Sequence, residues 1–116
     1  MPRRDWELRV NDILDAITAV QGYTEGMKFK TFVSDRKTVD AVLRNLILIG
    51  EAASHIPDDF VSEHPDIPWR DMRDMRNFVV HEYFGVSDRI IWETVQNDLP
   101  PLIPHLQQML ESDQKQ

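Results

Sequence analysis

The sequence predicts a single all-α domain, and three observations support this fold class. Apolar residues recur at intervals of three and four over two long stretches, which is the spacing of one helical face. Prolines follow the second stretch and separate the shorter segments after it, where they would end helices. No segment alternates apolar and polar residues between turn signals, as a half-buried strand would. The 116 residues suffice for one domain with a core. We assign residues 1–112 to that domain and 113–116 to a short disordered tail.

The first predicted helix runs from about Arg4 to Gln21, and Gly22 follows it as a stop signal. Its apolar face is expected to consist of residues that recur near helical spacing, namely Leu8, Ile13, Ile17 and Val20. Residues 23–35 are predicted to form a connection with one short helical turn.

The second predicted helix runs from about Arg36 to Ile56 and is closed by Pro57. One stripe faces the core and consists of Val39, Val42, Leu43, Leu46, Gly50 and Ala53. Residues 47–49 make the middle of this helix apolar on its other sides as well, which indicates burial on more than one side. The second burying surface is expected to be another copy of the chain, in a homodimer. Glu51 interrupts this apolar region, and a buried carboxylate needs a cationic partner.

Shorter helices are predicted in the second half of the chain. Pro68 is well suited to open one of them, and Ser87 could cap another. Trp69 and Trp92 are expected in the core, whereas His55, His64 and His105 have no metal-like spacing and are interpreted as surface or cap residues. The predicted ranges are 58–63, 69–81, 88–97 and 104–111.

Composition limits the function classes. The chain has no cysteine, which excludes disulfides, thiolate metal sites and cysteine nucleophiles and suits a reducing cytoplasm. No signal peptide is recognised, and the longest apolar run, residues 46–49, is too short to span a bilayer. The net charge of -7 disfavours a protein that holds nucleic acid by phosphate neutralisation alone. Any RNA contact is therefore expected to be local, and no DNA, membrane or cofactor partner is predicted.

The most informative segment is residues 73–85, which carries a polar pair at helical spacing. On an ideal helix Arg76 and His81 lie about 140° apart around the axis and roughly 7.5 Å apart along it. They cannot serve one phosphate from a straight helix of a single chain. Either the helix distorts near Val80, or a two-fold axis brings the pair of a second copy alongside.

This segment resembles the HEPN superfamily, and within it the HepT group. Residues 76–83 match the pattern of an arginine, a polar residue, three spacers and a histidine, with a tyrosine two positions after the histidine. Further HepT-like segments occur in the same order along nearly the whole chain, at residues 41–46, 49–52, 68–70 and 81–85. The resemblance implies a dimeric antiparallel HEPN-type bundle of four to five helices that cleaves RNA without a metal.

The resemblance also implies roles for individual residues. His81 would exchange a proton with the ribose 2′-OH or the leaving 5′-oxygen, and Arg76 would stabilise charge on the phosphate. Asn77, Glu51 and Arg73 are the candidate supporting residues. Tyr83 would be the site at which a cognate nucleotidyltransferase antitoxin adds AMP, which neutralises the toxin of a type II or type VII toxin–antitoxin system.

Simpler interpretations of the same residues stay open. His81 could be a histidine favoured by a helix C-terminus, Arg76 a structural ion-pair partner of Glu51, and Tyr83 a packing residue. The alternative function is a non-catalytic helical adaptor or nucleotide-binding subunit of a nucleotidyltransferase. The intact Arg76/His81 pair favours the ribonuclease, whereas the acidic net charge favours the adaptor.

Overall fold

The computed structural model describes residues 3–77 and 88–114, and within these ranges it contains helices and no strand. This confirms the all-α prediction. The helices in chain order are α1 (Arg3–Thr24), α2 (Phe29–Ser34), α3 (Arg36–Ser54), α4 (Asp58–Glu63), α5 (Trp69–Asp74), α6 (Asp88–Glu93) and α7 (Leu102–Gln114). Two irregular turns extend helices: a 3-10 turn, Met75–Asn77, follows α5, and a π turn, Thr94–Asp98, follows α6.

The long helices α1 and α3 pack against each other and form the centre of the core. All six predicted stripe positions of α3 are buried, and Ile49 is buried with them. The buried face of α1 includes the large side chains of Trp6, Val10, Ile13, Ile17 and Val20. Each large aliphatic side chain buried here contributes about 1.5–3 kcal/mol, so packing rather than helix propensity decides the stability of this pair.

Helix α1 differs from its prediction at both ends of its apolar face. Leu8 is 54% exposed, because it lies off the stripe that Trp6 and Val10 begin. Gly22 does not stop the helix, which continues to Thr24. The stop is Gly26, whose φ of 76° is the left-handed conformation that a helix C-terminus favours and glycine adopts without strain.

The six-residue helices are too short to be stable alone, and each is held by contacts with the core. Phe60 of α4 stacks on Trp6 with ring centroids 4.7 Å apart. Trp69, the first residue of α5, is buried and donates from Nε1 to the carbonyl oxygen of His64 at 3.1 Å. Phe32 of α2 packs on Trp92 of α6 with centroids 5.1 Å apart. The predicted core positions of the two tryptophans are thereby confirmed for Trp69, while Trp92 is partly buried against the core.

The second half of the chain departs from regular helix at two places. The predicted helix 69–81 tightens into a 3-10 turn from Met75, and its remaining residues, including Val80, lie outside the described ranges. The predicted helix 88–97 widens instead into the π turn, in which Leu99 donates its backbone N–H to the Thr94 carbonyl at 3.0 Å. Leu99 is fully buried just before Pro100-Pro101. Its side chain therefore holds the end of the π turn against the core.

The last helix is longer than predicted. Helix α7 begins at Leu102, directly after the proline pair, and continues through Gln114, which is two residues into the segment predicted as a tail. Its buried residues Leu102, Leu106 and Met109 extend the core. No helix in the described part of the chain is both long and apolar enough to cross a membrane.

Candidate active site

The candidate site is built on α5 and the 3-10 turn, whose sequence repeats every three residues. From Arg70 to Met75 the order is arginine, aspartate, methionine, twice over, and Arg76 follows. Met72 and Met75 are buried against the core, and Arg70 and Arg76 are exposed. Since residues three apart lie near one another on a helix, the repeat sorts basic, acidic and apolar side chains onto three separate strips.

The basic strip consists of Arg70, Arg73 and Arg76, at successive steps of about 4.5 Å along the axis. Arg73 is half-buried, and its Nε donates to the carbonyl oxygen of Ala53 at 3.4 Å, near the C-terminal end of α3. Arg76 is exposed and makes no ion pair or hydrogen bond with any described residue. Within the described ranges, nothing therefore competes with an anion such as a phosphate for its guanidinium, which carries five donors in a planar fork.

The turn that carries Arg76 sits directly on the middle of α3. A Cβ atom at Gly50 would lie 2.6 Å from the backbone nitrogen of Arg76 and 3.0 Å from the carbonyl oxygen of Met72. Only a glycine permits this approach. Asn77, the last described residue before position 88, is exposed next to Arg76.

Glu51 does not occupy the place predicted for it. It is exposed rather than buried, and its carboxylate lies 3.8 Å from Nε2 of His55, one turn further along α3. It forms no ion pair with Arg76, although the structure describes both residues. Because neighbouring helical residues point about 100° apart, Gly50 faces the turn while Glu51 lines a groove with Arg9 and Asp12 of α1. Among the described residues, no contact supports the predicted role of Glu51 at the site, and that role stays a prediction.

His81 and Tyr83, the predicted catalytic histidine and AMP acceptor, lie outside the described residues, as does Ser87. The structure does describe the elements on either side of them. The 3-10 turn on Gly50 precedes them, and α6 follows, with Arg89 over the ring of Phe29 at 4.2 Å from its centroid. Both flanking elements are thus held against the rest of the protein.

An acidic cleft of about 540 Å³ lies on the other side of α5, between that helix, the π turn and the start of α7. Its floor includes Met72 and Leu102, and its carboxylates are Asp66, Asp71, Asp74 and Asp98. Burial raises the pKa of Asp98, and the neighbouring charges of Asp71 and Glu93 raise it further. A cleft of this charge would repel the phosphate backbone of a nucleic acid. Within the described ranges, no group of three or more histidine and carboxylate side chains is arranged to hold a metal ion.

Two features of this site were missed by the sequence prediction. Gly50 was predicted only as a member of a core stripe, and Arg70 was not predicted as a site residue. The three-residue repeat is the signal that would have revealed the basic strip. Nothing in the sequence alone places Gly50 against Arg76, since they are far apart along the chain.

Comparison with known proteins agrees with the resemblance drawn from the motif. The ribonuclease HepT-like family matches residues 13–109, so the chain belongs to this family. A protein named probable ribonuclease HepT, from Thermococcus cleftensis, is 46% identical over 93 residues, which cover 80% of this chain and 84% of the relative. No solved structure matches the chain.

Two further relatives carry provisional RNase names. One, from Methanocaldococcus jannaschii, is 36% identical over 111 residues, covering 96% of this chain and 92% of the relative. The other, from Caldanaerobacter subterraneus subsp. tengcongensis, is 38% identical over 89 residues, covering 77% and 80%. Family membership therefore supports a ribonuclease function.

Proposed function

We propose that this chain is a metal-independent endoribonuclease whose reaction is carried by Arg76 and His81. The observation that supports it best is the state of Arg76. This arginine is exposed on a turn held against α3, and no described carboxylate neutralises it. A guanidinium fixed at its base and open at its tip is what phosphate recognition requires.

The proposed chemistry uses the 2′-hydroxyl of the RNA as nucleophile. Its oxygen attacks phosphorus while the bond from phosphorus to the 5′-oxygen breaks, which leaves a 2′,3′-cyclic phosphate and a 5′-hydroxyl. His81 takes the 2′-OH proton or protonates the leaving oxygen, because an imidazole titrates near working pH. Arg76 stabilises the charge that develops on the phosphate oxygens, and Asn77 orients the phosphate or the imidazole.

The basic strip is the proposed path of the RNA. Arg70 and Arg73 extend the positive charge of Arg76 along α5, while Asp71 and Asp74 of the repeat face the acidic cleft. RNA is therefore attracted to one side of α5 and repelled from the other. This arrangement explains how a protein of net charge -7 can still bind RNA locally.

We further propose that the active form is a homodimer. Leu48, on the side of α3 away from the turn, is 48% exposed, and burial of this side chain against a second copy would remove its apolar surface from water. Arg76 and His81 of one straight helix lie too far apart to act on the same phosphate. A second copy would place its own Arg76/His81 pair beside the first. The predicted interface comprises the helix around residues 46–53 and the helix bearing Arg76.

In the cell, we propose that the protein acts in the cytoplasm as the toxin of a toxin–antitoxin pair. A cognate nucleotidyltransferase would attach AMP to Tyr83, two residues from His81. The added phosphates would occupy the space that RNA needs and carry charge of the wrong sign. The acidic cleft and the negative net charge instead favour the alternative, a non-catalytic adaptor for a nucleotidyltransferase.

The chemistry is tested by end-group analysis of cleaved RNA. Cleavage should continue in excess EDTA and produce 2′,3′-cyclic phosphate ends. Activity that disappears with the chelator and returns with magnesium would contradict the proposal.

The toxin role is tested with Tyr83→Phe, which keeps the aromatic ring and removes only the acceptor oxygen. This variant should cleave RNA and stay toxic when co-expressed with the nucleotidyltransferase that silences the wild type. A Tyr83→Phe protein that is still modified and silenced would show that the acceptor is elsewhere. If the wild type cleaves no RNA and is harmless when expressed alone, the adaptor is the better account.

A further inference from the structure

Gly50 brings α3 very close to the turn that carries Arg76. An added Cβ atom there would lie 2.6 Å from the backbone nitrogen of Arg76 and 3.0 Å from both the Cβ of Arg76 and the backbone oxygen of Met72. Two of these atoms are backbone atoms, and the third is the Cβ of Arg76. No flexible side-chain end could move aside, so any larger residue must push the turn away from α3.

Gly50 differs in this respect from Gly22, the other glycine inside a described helix. A Cβ atom at Gly22 would meet nothing within 4 Å. Glycine weakens a helix interior relative to alanine, so an alanine should be tolerated at position 22. At position 50 the same change should displace the 3-10 turn.

We infer that Gly50 is a positioning residue for Arg76: its missing side chain sets the depth at which the turn Met75–Asn77 docks on α3. That depth fixes the point from which the guanidinium reaches the phosphate. The hydrogen bond from Arg73 to the Ala53 carbonyl holds the same helix one turn further along α3. The inference rests on the proposed function of Arg76, and it adds a residue that does not itself touch RNA.

The test compares Gly50→Ala with the matched control Gly22→Ala. Single-turnover cleavage of a labelled single-stranded RNA is measured at saturating enzyme, with the folded fraction of each variant checked by circular dichroism. Gly50→Ala should lower the cleavage rate by about 10- to 100-fold, since misplacement of a catalytic group by about 1 Å has effects of this size. Gly22→Ala should cleave at the wild-type rate.

A double variant separates positioning from general damage to the fold. If Gly50 acts through Arg76, Arg76→Ala and Gly50→Ala/Arg76→Ala should cleave at the same residual rate, because the group to be positioned is already gone. A folded Gly50→Ala protein with the wild-type rate would overturn the inference. So would a double variant that is slower than Arg76→Ala by the full Gly50→Ala factor.

An NMR measurement tests the geometry without relying on activity or on a folded variant. In the wild-type protein, an Hα of Gly50 and the amide proton of Arg76 should show a strong nuclear Overhauser effect. Its absence would overturn the inference even if Gly50→Ala fails to fold. If the effect is present but Arg76→Ala cleaves like the wild type, the close approach stands and the proposed catalytic role of Arg76 fails instead.

Discussion

Arg36, the first residue of α3, forms an ion pair with Asp88, the first residue of α6, at 3.0 Å. The same helix therefore contacts both elements that flank residues 78–87. Gly50 contacts the turn Met75–Asn77, which precedes these residues, and Arg36 is paired with α6, which follows them. Because α3 is itself packed along α1, it ties to the core the two described elements between which His81 and Tyr83 lie in the sequence.

The proposed dimer predicts that a charge at Leu48 separates the subunits. Light scattering on the wild type should report twice the chain mass of 13.6 kDa, whereas Leu48→Glu should report a monomer, because burying an unpaired carboxylate in an interface is costly. Tyr23→Glu is the matched control, since Tyr23 has similar exposure, 47%, but lies at the other end of the α1–α3 pair and should leave the dimer intact. A wild-type monomer would remove the basis for a site shared between subunits.

The basic strip predicts a salt-dependent contribution of Arg70 to RNA binding. Arg70→Ala should weaken binding to single-stranded RNAs of different sequence by a similar factor. It should also reduce the slope of log affinity against log salt by about 0.7, the value for one phosphate that is no longer neutralised. Lys30→Ala, which removes one exposed positive charge from α2, should change neither quantity appreciably. Equal effects of the two substitutions would show that overall charge, not the strip, governs binding.

The acidic cleft predicts a pH-dependent gain of stability in Asp98→Asn. Because burial and nearby carboxylates raise the pKa of Asp98 above 3.8, the folded state binds its proton more tightly than the unfolded state does. Stability is therefore lost as pH rises from that value through the folded-state pKa, and the loss remains at neutral pH. Urea unfolding should show Asp98→Asn to be more stable than the wild type at neutral pH. The advantage should shrink below pH 3.8, and an advantage that persists unchanged there would contradict the assignment.

The long helices could be predicted because periodic burial alone determines them. The α3 stripe from Val39 to Ala53 is a regular pattern of residues three and four apart, and the structure buries every member of it. Leu8 was misassigned because several apolar residues of α1 allow more than one stripe, and only packing against α3 selects the one that begins at Trp6.

The irregular turns depend on interactions that the local sequence does not contain. The 3-10 turn at Met75 requires a glycine on another helix, and the π turn at Thr94 accompanies the burial of Leu99. The exposure of Glu51 has the same origin. Its neighbours Gly50 and Ala52 lie on faces that other helices cover, while Glu51 lies between them at the surface. The side of α3 against which the turn Met75–Asn77 packs is therefore set by tertiary contacts, not by the local sequence.

The most direct test of the account is the rate of RNA cleavage by purified wild-type, Arg76→Ala and His81→Ala proteins that have been shown to be folded and in the same oligomeric state. The wild type should cleave RNA. His81→Ala should be slower by about 100- to 10,000-fold, the usual contribution of general acid–base catalysis, and Arg76→Ala by about 100- to 1,000-fold, the usual effect of removing a group that stabilises transition-state charge. A wild type without cleavage activity, or either variant cleaving at the wild-type rate, would contradict the claim that these two residues carry the reaction.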